Sequence, residues 1–183
     1  PVLPYLDVTV LGVGLFLACG RVGCLMVGCC HGRPHAWGVC YRDEHADAGF
    51  PHYLVGIRLF PVQLLEALWV FAAVAVGCWF VLSGRPPGEA LGWYVVAYGL
   101  ERFCVEFLRG DAARPYLAGF SEAQWTSLVL MAFLVAAELR GVLPFHPWHA
   151  VATGCLPVSM FGIALKRRIE KTARHQLLHP RHI

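Results

Sequence analysis

The chain has 183 residues, of which 57% are hydrophobic and 15% are charged, with a formal net charge of +3 and a mean hydropathy of +0.56. Soluble domains contain about 25% charged residues, so the composition excludes an ordinary soluble enzyme and indicates a membrane protein. The basic residues are not interleaved with aromatic residues along an extended face, so no nucleic-acid partner is expected.

Apolar segments of membrane-spanning length recur along the chain, since a spanning helix needs about 20 predominantly apolar residues. Four segments meet this requirement well: Val8–Val27, Pro61–Leu82, Ala90–Leu108 and Gln124–Leu139. A fifth segment, Trp148–Leu165, is weaker because it contains His149 and Pro157. They predict an all-α, polytopic membrane bundle with four to five spans. We expect a membrane core in residues 1–145, followed by an extra apolar segment and a basic cytoplasmic tail in residues 146–183.

An arginine lies inside the first span and another inside the third. Arg21 belongs to the glycine-rich run Gly20–Arg33, and Arg102 lies within Ala90–Leu108. A guanidinium near the middle of a membrane costs at least ~2.5 kcal/mol, so it persists mainly where it faces a polar cavity or an anion. Two such residues on different helices predict a shared site for a negatively charged group, most simply a phosphate.

A polar stripe follows one face of the third span. Tyr98, Arg102 and Glu106 are four residues apart, Arg109 continues the stripe, and Glu101 points elsewhere. Lipid would not tolerate this stripe, so it is expected to face inward. The alternative is an intrahelical salt bridge between Arg102 and Glu106 that only neutralises itself.

The second span begins with two polar residues on one face, Gln63 and Glu66. Intramembrane Gln and Glu need polar partners, and Arg21 or Arg102 would supply them. The alternative is a polar first turn after a proline at the start of a helix, Pro61.

The connections differ in length. Ser83–Gly88 reads as a tight turn that makes the second and third spans an antiparallel hairpin. Gly32–Arg58 is too long for a simple turn and is expected on the membrane surface or over the mouth of a cavity. Gly110–Ser121 is a second external loop.

Five residues near the first span could suggest a metal cluster: Cys24, Cys29, Cys30, His31 and Cys40. They lack the paired Cys-x-x-Cys spacing of structural zinc sites. A disulfide between the neighbours Cys29 and Cys30 would be strained. Packing or cavity lining is therefore the favoured role, and no metal or cofactor is expected, with metal binding and redox chemistry as alternatives.

The polar motifs, in their order along the chain, resemble those of bacterial prolipoprotein diacylglyceryl transferase. They are Gly20-Arg21-x-Gly23 with Gly28 and Gly32, Pro61-x-Gln63-Leu64-x-Glu66, and Tyr98-Gly99-x-x-Arg102-Phe103-x-x-Glu106-Phe107-x-Arg109. That family consists of multi-pass inner-membrane enzymes. They move the diacylglyceryl group of phosphatidylglycerol onto the lipobox cysteine of a prolipoprotein signal peptide, forming a thioether and releasing glycerol 1-phosphate.

The resemblance implies roles for particular residues. Arg21 and Arg102 correspond to the family's essential arginines, with Tyr98 and Glu106 as their catalytic companions. The substrate-binding set comprises Gly32, Gln63, Glu66, Arg109 and Cys24. The sequence departs from the family in having Cys24 for the usual Asn, and in having Phe60 and Leu65 for a histidine and a tyrosine. The family's amino-terminal helices and their His-Gly-Gly element have no counterpart here, so a shortened or partial form is expected.

The chemistry agrees with this interpretation, because positioned guanidiniums would stabilise the charge that develops on a departing phosphate. The substrate thiol must lose its proton, and His31 and Tyr98 are the candidate bases. Two other function classes stay open. One is a membrane thiol–disulfide protein that uses Cys24, Cys29 and Cys30, and the other is a non-catalytic lipid- or anion-binding subunit.

The family layout would place Gly32–Arg58 and Gly110–Ser121 in the periplasm. A fully spanning Trp148–Leu165 would then carry the basic tail Lys166–Arg174 outside, against the tendency of basic flanks to remain cytoplasmic. Because Pro157 disrupts a helix, we expect this segment to be bent or interfacial and the tail to be cytoplasmic.

Overall fold

A computed structural model describes residues 2–110 and 116–177, with only the backbone described for 171–177. Its helices are α1 (Leu3–Val27), α2 (Asp43–Asp47), α3 (Val62–Leu82), α4 (Glu89–Val105), α5 (Glu122–Leu139) and α6 (Pro147–Leu177). The predicted all-α membrane bundle is confirmed for the described residues. Short strands outside the bundle were not predicted.

Those strands form two small antiparallel sheets in the described loops. β1 (Pro34–Cys40) pairs with β2 (Arg58–Leu59), and β3 (Tyr116–Leu117) pairs with β4 (Phe120–Ser121). The predicted loop Gly32–Arg58 is therefore a folded unit, with α2 and a 3₁₀ turn between its strands. Residues 111–115 of the second predicted loop lie outside the described residues.

Within the described residues, four helices are long and apolar enough to cross a membrane by length and composition: α1, α3, α5 and the portion Pro147–Glu170 of α6. The chain is thus a multi-pass membrane protein. The predicted third span forms a helix but ends at Val105, three residues early. At 17 residues, α4 is about 25 Å long and falls short of the about 20 residues that a spanning helix needs. It packs against α1, α3, α5 and α6, in the middle of the bundle.

Small residues allow the first helices to approach closely. A Cβ on Gly14 would lie 2.6 Å from Tyr94 Cε2 and 2.7 Å from Val74 Cγ2, and one on Gly77 would lie 2.4 Å from Leu11. In lipid, helix association depends on such close packing rather than on hydrophobic burial. The contacts set α1 and α3 antiparallel, so Arg21 near the end of α1 lies beside the beginning of α3.

The last helix runs the full length of the bundle. Near its start, His149 hydrogen-bonds Glu138 at the end of α5, and further along, Arg167 donates to the carbonyl of Gly119, just before α5 begins. Between these points Leu156 and Met160 are buried in the core shared with α4 and α5. The helix continues through Pro157, so the break expected at this proline does not occur. Pro147–Glu170 is long and apolar enough to cross a membrane by length and composition, and the expected bent or interfacial placement of Trp148–Leu165 stays a prediction.

The position of α6 changes the topological argument. Lys166, Arg167 and Arg168 lie at the end of the bundle that carries β3 and β4. The start of the basic tail and the Gly110–Ser121 loop therefore lie on the same side of the membrane. The expectation of a cytoplasmic tail and the expectation of a periplasmic loop cannot both be correct. The side chains of Lys171 and Arg174, which the tail prediction also included, lie outside the described residues.

Candidate functional site

A buried carboxylate on α3 is the centre of the polar cluster. Glu66 is 1% exposed and lies one turn into the helix, where α1 and α4 both contact α3. Arg21 comes from α1, Arg102 from α4, and Arg109 from the segment that follows α4. The three guanidiniums therefore converge on one carboxylate from three parts of the chain.

The distances define a shared ionic network. Arg21 Nε lies 3.0 Å from Glu66 Oε2, and Arg102 Nη1 lies 3.4 Å from Glu66 Oε1. Arg109 Nη1 lies 3.7 Å from Glu66 Oε2. Arg102 Nη1 also lies 3.1 Å from Glu106 Oε2. The intrahelical Arg102–Glu106 pair thus exists, but it belongs to a larger network and does not replace the predicted contact between helices.

Exposure divides the members of this network. The side chains of Glu66, Glu106 and Arg109 are each 2% exposed, whereas those of Arg102 and Arg21 are 12% and 21% exposed. The five side chains sum to a formal charge of +1. An anion could therefore reach Arg21 and Arg102, while the buried members hold these two arginines in place.

A cavity of about 630 Å³ lies against the network, bounded by α1, α4 and the start of α5. Its polar lining includes Tyr98, Arg102, Glu122 and Ser127. Apolar residues such as Val13 and Leu130 form other parts of the wall. This combination of a charged group and an apolar wall suits an amphipathic ligand. Tyr98, which is one of the two candidate bases, faces this cavity and stacks on Tyr94.

Gly32 lies where three backbone segments cross, next to the site. It pairs with Arg109 in an isolated bridge, and its N–H donates to the Phe60 carbonyl at 3.1 Å. A Cβ here would lie 2.5 Å from the Phe60 carbonyl oxygen. Close backbone approach therefore requires glycine at this position and joins the folded loop to the segment after α4.

Gln63 contacts the loop rather than an arginine. Its Nε2 donates to the Cys29 carbonyl at 2.7 Å, and the side chain is fully buried. The expectation that an arginine would be its partner is wrong, while the same expectation for Glu66 is confirmed. Nearby, the Tyr41 hydroxyl donates to the Leu25 carbonyl, and burial raises the pKa of Tyr41.

His31, the other candidate base, is buried beneath the loop. Its ring packs edge-on against Phe50, and its Nδ1 lies 3.0 Å from the Gly32 carbonyl oxygen. It is absent from the residues that line the 630 Å³ cavity. The geometry therefore favours Tyr98 over His31 as a group able to meet a ligand there.

Three of the cysteines also converge near the end of α1. The Sγ atoms of Cys24, Cys29 and Cys30 all lie within 4.8 Å of one another. Burial, followed by the neighbouring Cys24 and Cys30 thiols, raises the pKa of Cys29 to about 12. All eight cysteines lie in the described part of the chain, and none forms a disulfide there.

The sequence analysis placed Glu101 outside the polar stripe, but in the structure Glu101 is a buried charged residue like the buried members of the network. It is 5% exposed, and within the described residues neither of its carboxylate oxygens has a hydrogen-bond partner. With its carboxylate included, the formal charge of the cluster would be zero. The sequence could have indicated this, because Glu101 directly precedes Arg102 in an apolar span, where an acidic residue needs a polar environment.

Comparison with known proteins gives consistent matches. A family model described as prolipoprotein diacylglyceryl transferase matches residues 1–139. The phosphatidylglycerol–prolipoprotein diacylglyceryl transferase of Clostridium tetani is 33% identical over 129 residues, which cover 69% of this chain and 49% of that protein. The corresponding protein of Mycobacterium leprae is 34% identical over 142 residues, covering 69% of this chain and 42% of the relative. The chain spans about half the length of the curated relatives it matches. No solved structure matches it.

Proposed function

Since the chain belongs to the prolipoprotein diacylglyceryl transferase family, we propose that it acts in the transfer of the diacylglyceryl group of phosphatidylglycerol to the lipobox cysteine of a prolipoprotein. Its partners are then phosphatidylglycerol and the signal peptide that carries this cysteine. The membrane is the bacterial inner membrane. The observation that carries the proposal is the convergence of Arg21 and Arg102 on Glu66, together with the position of Arg102 in the lining of the cavity.

The reaction requires stabilisation of negative charge on phosphate. When the substrate sulfur attacks the glyceryl carbon, the carbon–oxygen bond breaks and glycerol 1-phosphate leaves with the electron pair. The thiol proton passes, directly or through water, to the departing phosphate. Arg21 and Arg102 are the partly exposed arginines of the network, and they contact the phosphate as its charge develops. A guanidinium suits this role because it stays charged and binds phosphate in a bidentate manner.

The buried members of the network position these two arginines. Glu66 contacts both of them, Glu106 contacts Arg102, and Arg109 contacts Glu66. Tyr98 lines the cavity near Arg102 and would meet the lipid headgroup or the incoming thiol. The apolar wall accommodates the acyl chains. Gly32 and Gln63 act on the substrate indirectly, by fixing the loop above the site, and Cys24 lies one turn beyond Arg21.

The division of the chain at residue 145 remains part of the proposal. The family match ends at residue 139, which supports a transferase-like core in residues 1–145. Residues 146–183 add α6, whose Leu156 and Met160 pack on that core. In this proposal, α6 supports the helices of the site and takes no direct part in the transfer.

The proposal can be tested with the full chain in proteoliposomes that contain phosphatidylglycerol labelled in its acyl chains. Transfer of label to a peptide with a lipobox cysteine is the expected result. The Arg21→Lys variant keeps the charge but loses the bidentate geometry, so it should transfer far less. Lipid binding without any transfer by the wild-type chain would contradict the proposal and favour a non-catalytic lipid-binding subunit.

A further inference from the structure

The end of α1 brings three sulfur atoms to one place. Cys24 lies in the last turn of the helix, and Gly28 then ends the helix in the left-handed conformation, with its N–H donating to the Cys24 carbonyl at 2.9 Å. Cys30 also has a positive φ of 58°, which is rare for a residue with a Cβ. The chain therefore reverses over a few residues, and the Sγ atoms of Cys24, Cys29 and Cys30 lie within 4.8 Å of one another.

This arrangement does not resemble apolar packing of cysteine. Buried cysteine behaves as a small hydrophobic residue, but Cys29 is exposed, and Cys24 and Cys30 are half-buried. The three cysteines are therefore not sealed inside the core of the bundle. A disulfide would use only two of them, and one between the neighbours Cys29 and Cys30 would be strained.

The sulfur spacing is close to that of a metal site. Zn–S bonds of about 2.3 Å place the sulfurs of a tetrahedral site roughly 3.8 Å apart. The observed separations, at most 4.8 Å, need a contraction of no more than about 1 Å. Small changes in side-chain torsion would achieve this.

The electrostatic surroundings also favour a cation bound by thiolates. The last turn of α1 presents carbonyl groups, whose partial negative charge attracts cations. Three thiolates and one divalent ion carry a net charge of −1. Arg21 lies one turn before Cys24 on α1 and interacts electrostatically with Cys30, so a positive charge lies close to this net charge of −1.

We propose that Cys24, Cys29 and Cys30 bind one Zn²⁺ ion through three thiolate sulfurs. One coordination position remains for water or for a fourth donor. Each thiol exchanges its proton for a bond to zinc, so binding releases three protons and needs no oxidant. Thiolate ligands select Zn²⁺ over hard cations such as Mg²⁺ and Ca²⁺. The site does not depend on the proposed transfer reaction.

The first experiment measures zinc in the full chain purified in detergent. The protein is reduced with a phosphine, incubated with Zn²⁺ and dialysed, and its metal content is then determined by elemental mass spectrometry. About one equivalent should be retained by the wild-type chain. The triple variant Cys24→Ser, Cys29→Ser and Cys30→Ser should retain none. The matched control replaces Cys19, Cys78 and Cys155 with serine and should bind zinc like the wild-type chain.

A second measurement works on the unaltered chain and so does not depend on whether a variant folds. Alkylation of each cysteine is followed by mass spectrometry, with and without Zn²⁺. Zinc should protect Cys24, Cys29 and Cys30 and leave Cys19 and Cys78 unchanged. Equal zinc retention by the triple variant, or equal alkylation of all cysteines with zinc present, would overturn the proposal. Formation of a Cys24–Cys29 disulfide in place of zinc binding would overturn it too and assign the cluster to redox chemistry.

Discussion

The two ends of this bundle both contain buried charges, but they are arranged differently. At one end, three arginines share Glu66, and Glu106 contacts one of them. At the other end, carboxylates predominate, and each has a local structural partner. Asp7 accepts hydrogen bonds from the N–H groups of Gly88 and Leu91, at 2.7 and 2.8 Å, where α4 begins.

The remaining carboxylates of this second end are also paired. Glu89 Oε1 lies 2.5 Å from Nη1 of Arg85, which is four residues earlier. Glu138 hydrogen-bonds His149. Arg85 is 40% exposed and lies over the rings of Trp79 and Phe80. Negative charge at the start of a helix offsets the helix dipole. The second end therefore holds helices together, whereas partly exposed arginines beside a cavity indicate a place for an anion.

The largest effect should come from removing the shared carboxylate with Glu66→Gln. Breaking a buried ionic network by removing one partner costs about 3–5 kcal/mol, and here three guanidiniums would repel one another. We expect a large drop in the thermal unfolding temperature in detergent, together with loss of transfer. An unchanged unfolding temperature would mean that the network contributes little to the fold.

Arg102→Lys should have the next largest effect, and on transfer rather than on folding. The lysine keeps a charge near Glu66 and Glu106 but loses the planar fork. Loss of one preorganised donor costs about 3 kcal/mol in the barrier, a decrease of about 10²-fold in rate. Steady-state transfer of labelled lipid measures this effect, and the unfolding temperature serves as its control. A rate within a factor of a few of the wild-type value would remove Arg102 from the proposed catalytic set.

Two alanine substitutions compare the packing at the two ends of the bundle: Gly32→Ala at the end with the arginine network and Gly92→Ala at the other end. At Gly32 the new Cβ would meet the Phe60 carbonyl oxygen at 2.5 Å, and backbone cannot move aside easily. Overpacking of this kind costs about 1–3 kcal/mol. At Gly92, the nearest atom is His149 Cε1 at 3.3 Å, a side chain that can shift. Gly32→Ala should therefore lower the unfolding temperature more than Gly92→Ala does, and the reverse order would contradict the difference in packing.

Much of this comparison could be anticipated from the sequence. The apolar runs predicted the long helices, because length and hydropathy alone determine which segments can cross a membrane. Arg21, Arg102 and Glu66 could be linked because intramembrane charges need partners. These inferences required only local sequence and the chemistry of lipid.

The parts that were missed depend on contacts between distant segments. Gln63 binds the Cys29 carbonyl, 34 residues away along the chain, and no local pattern indicates this. The continuity of α6 through Pro157 is supported by packing against α4 and α5, which outweighs the local effect of proline. The convergence of Cys24, Cys29 and Cys30 depends on the turn at Gly28 and Cys30, which spacing rules for zinc sites do not describe.

The smallest effect should come from Arg85→Lys, the same substitution as Arg102→Lys made at the other end. Arg85 is partly exposed and pairs with Glu89, and exposed pairs contribute about 0–1 kcal/mol. Its position over Trp79 and Phe80 adds about 0.5–1 kcal/mol at an exposed site, much of which a lysine retains. We therefore expect a small decrease in unfolding temperature and an unchanged transfer rate. The same transfer assay should thus separate the two lysine variants by about 10²-fold. Equal losses would show that transfer depends on arginines throughout the bundle, and the proposed distinction between the two ends would then be wrong.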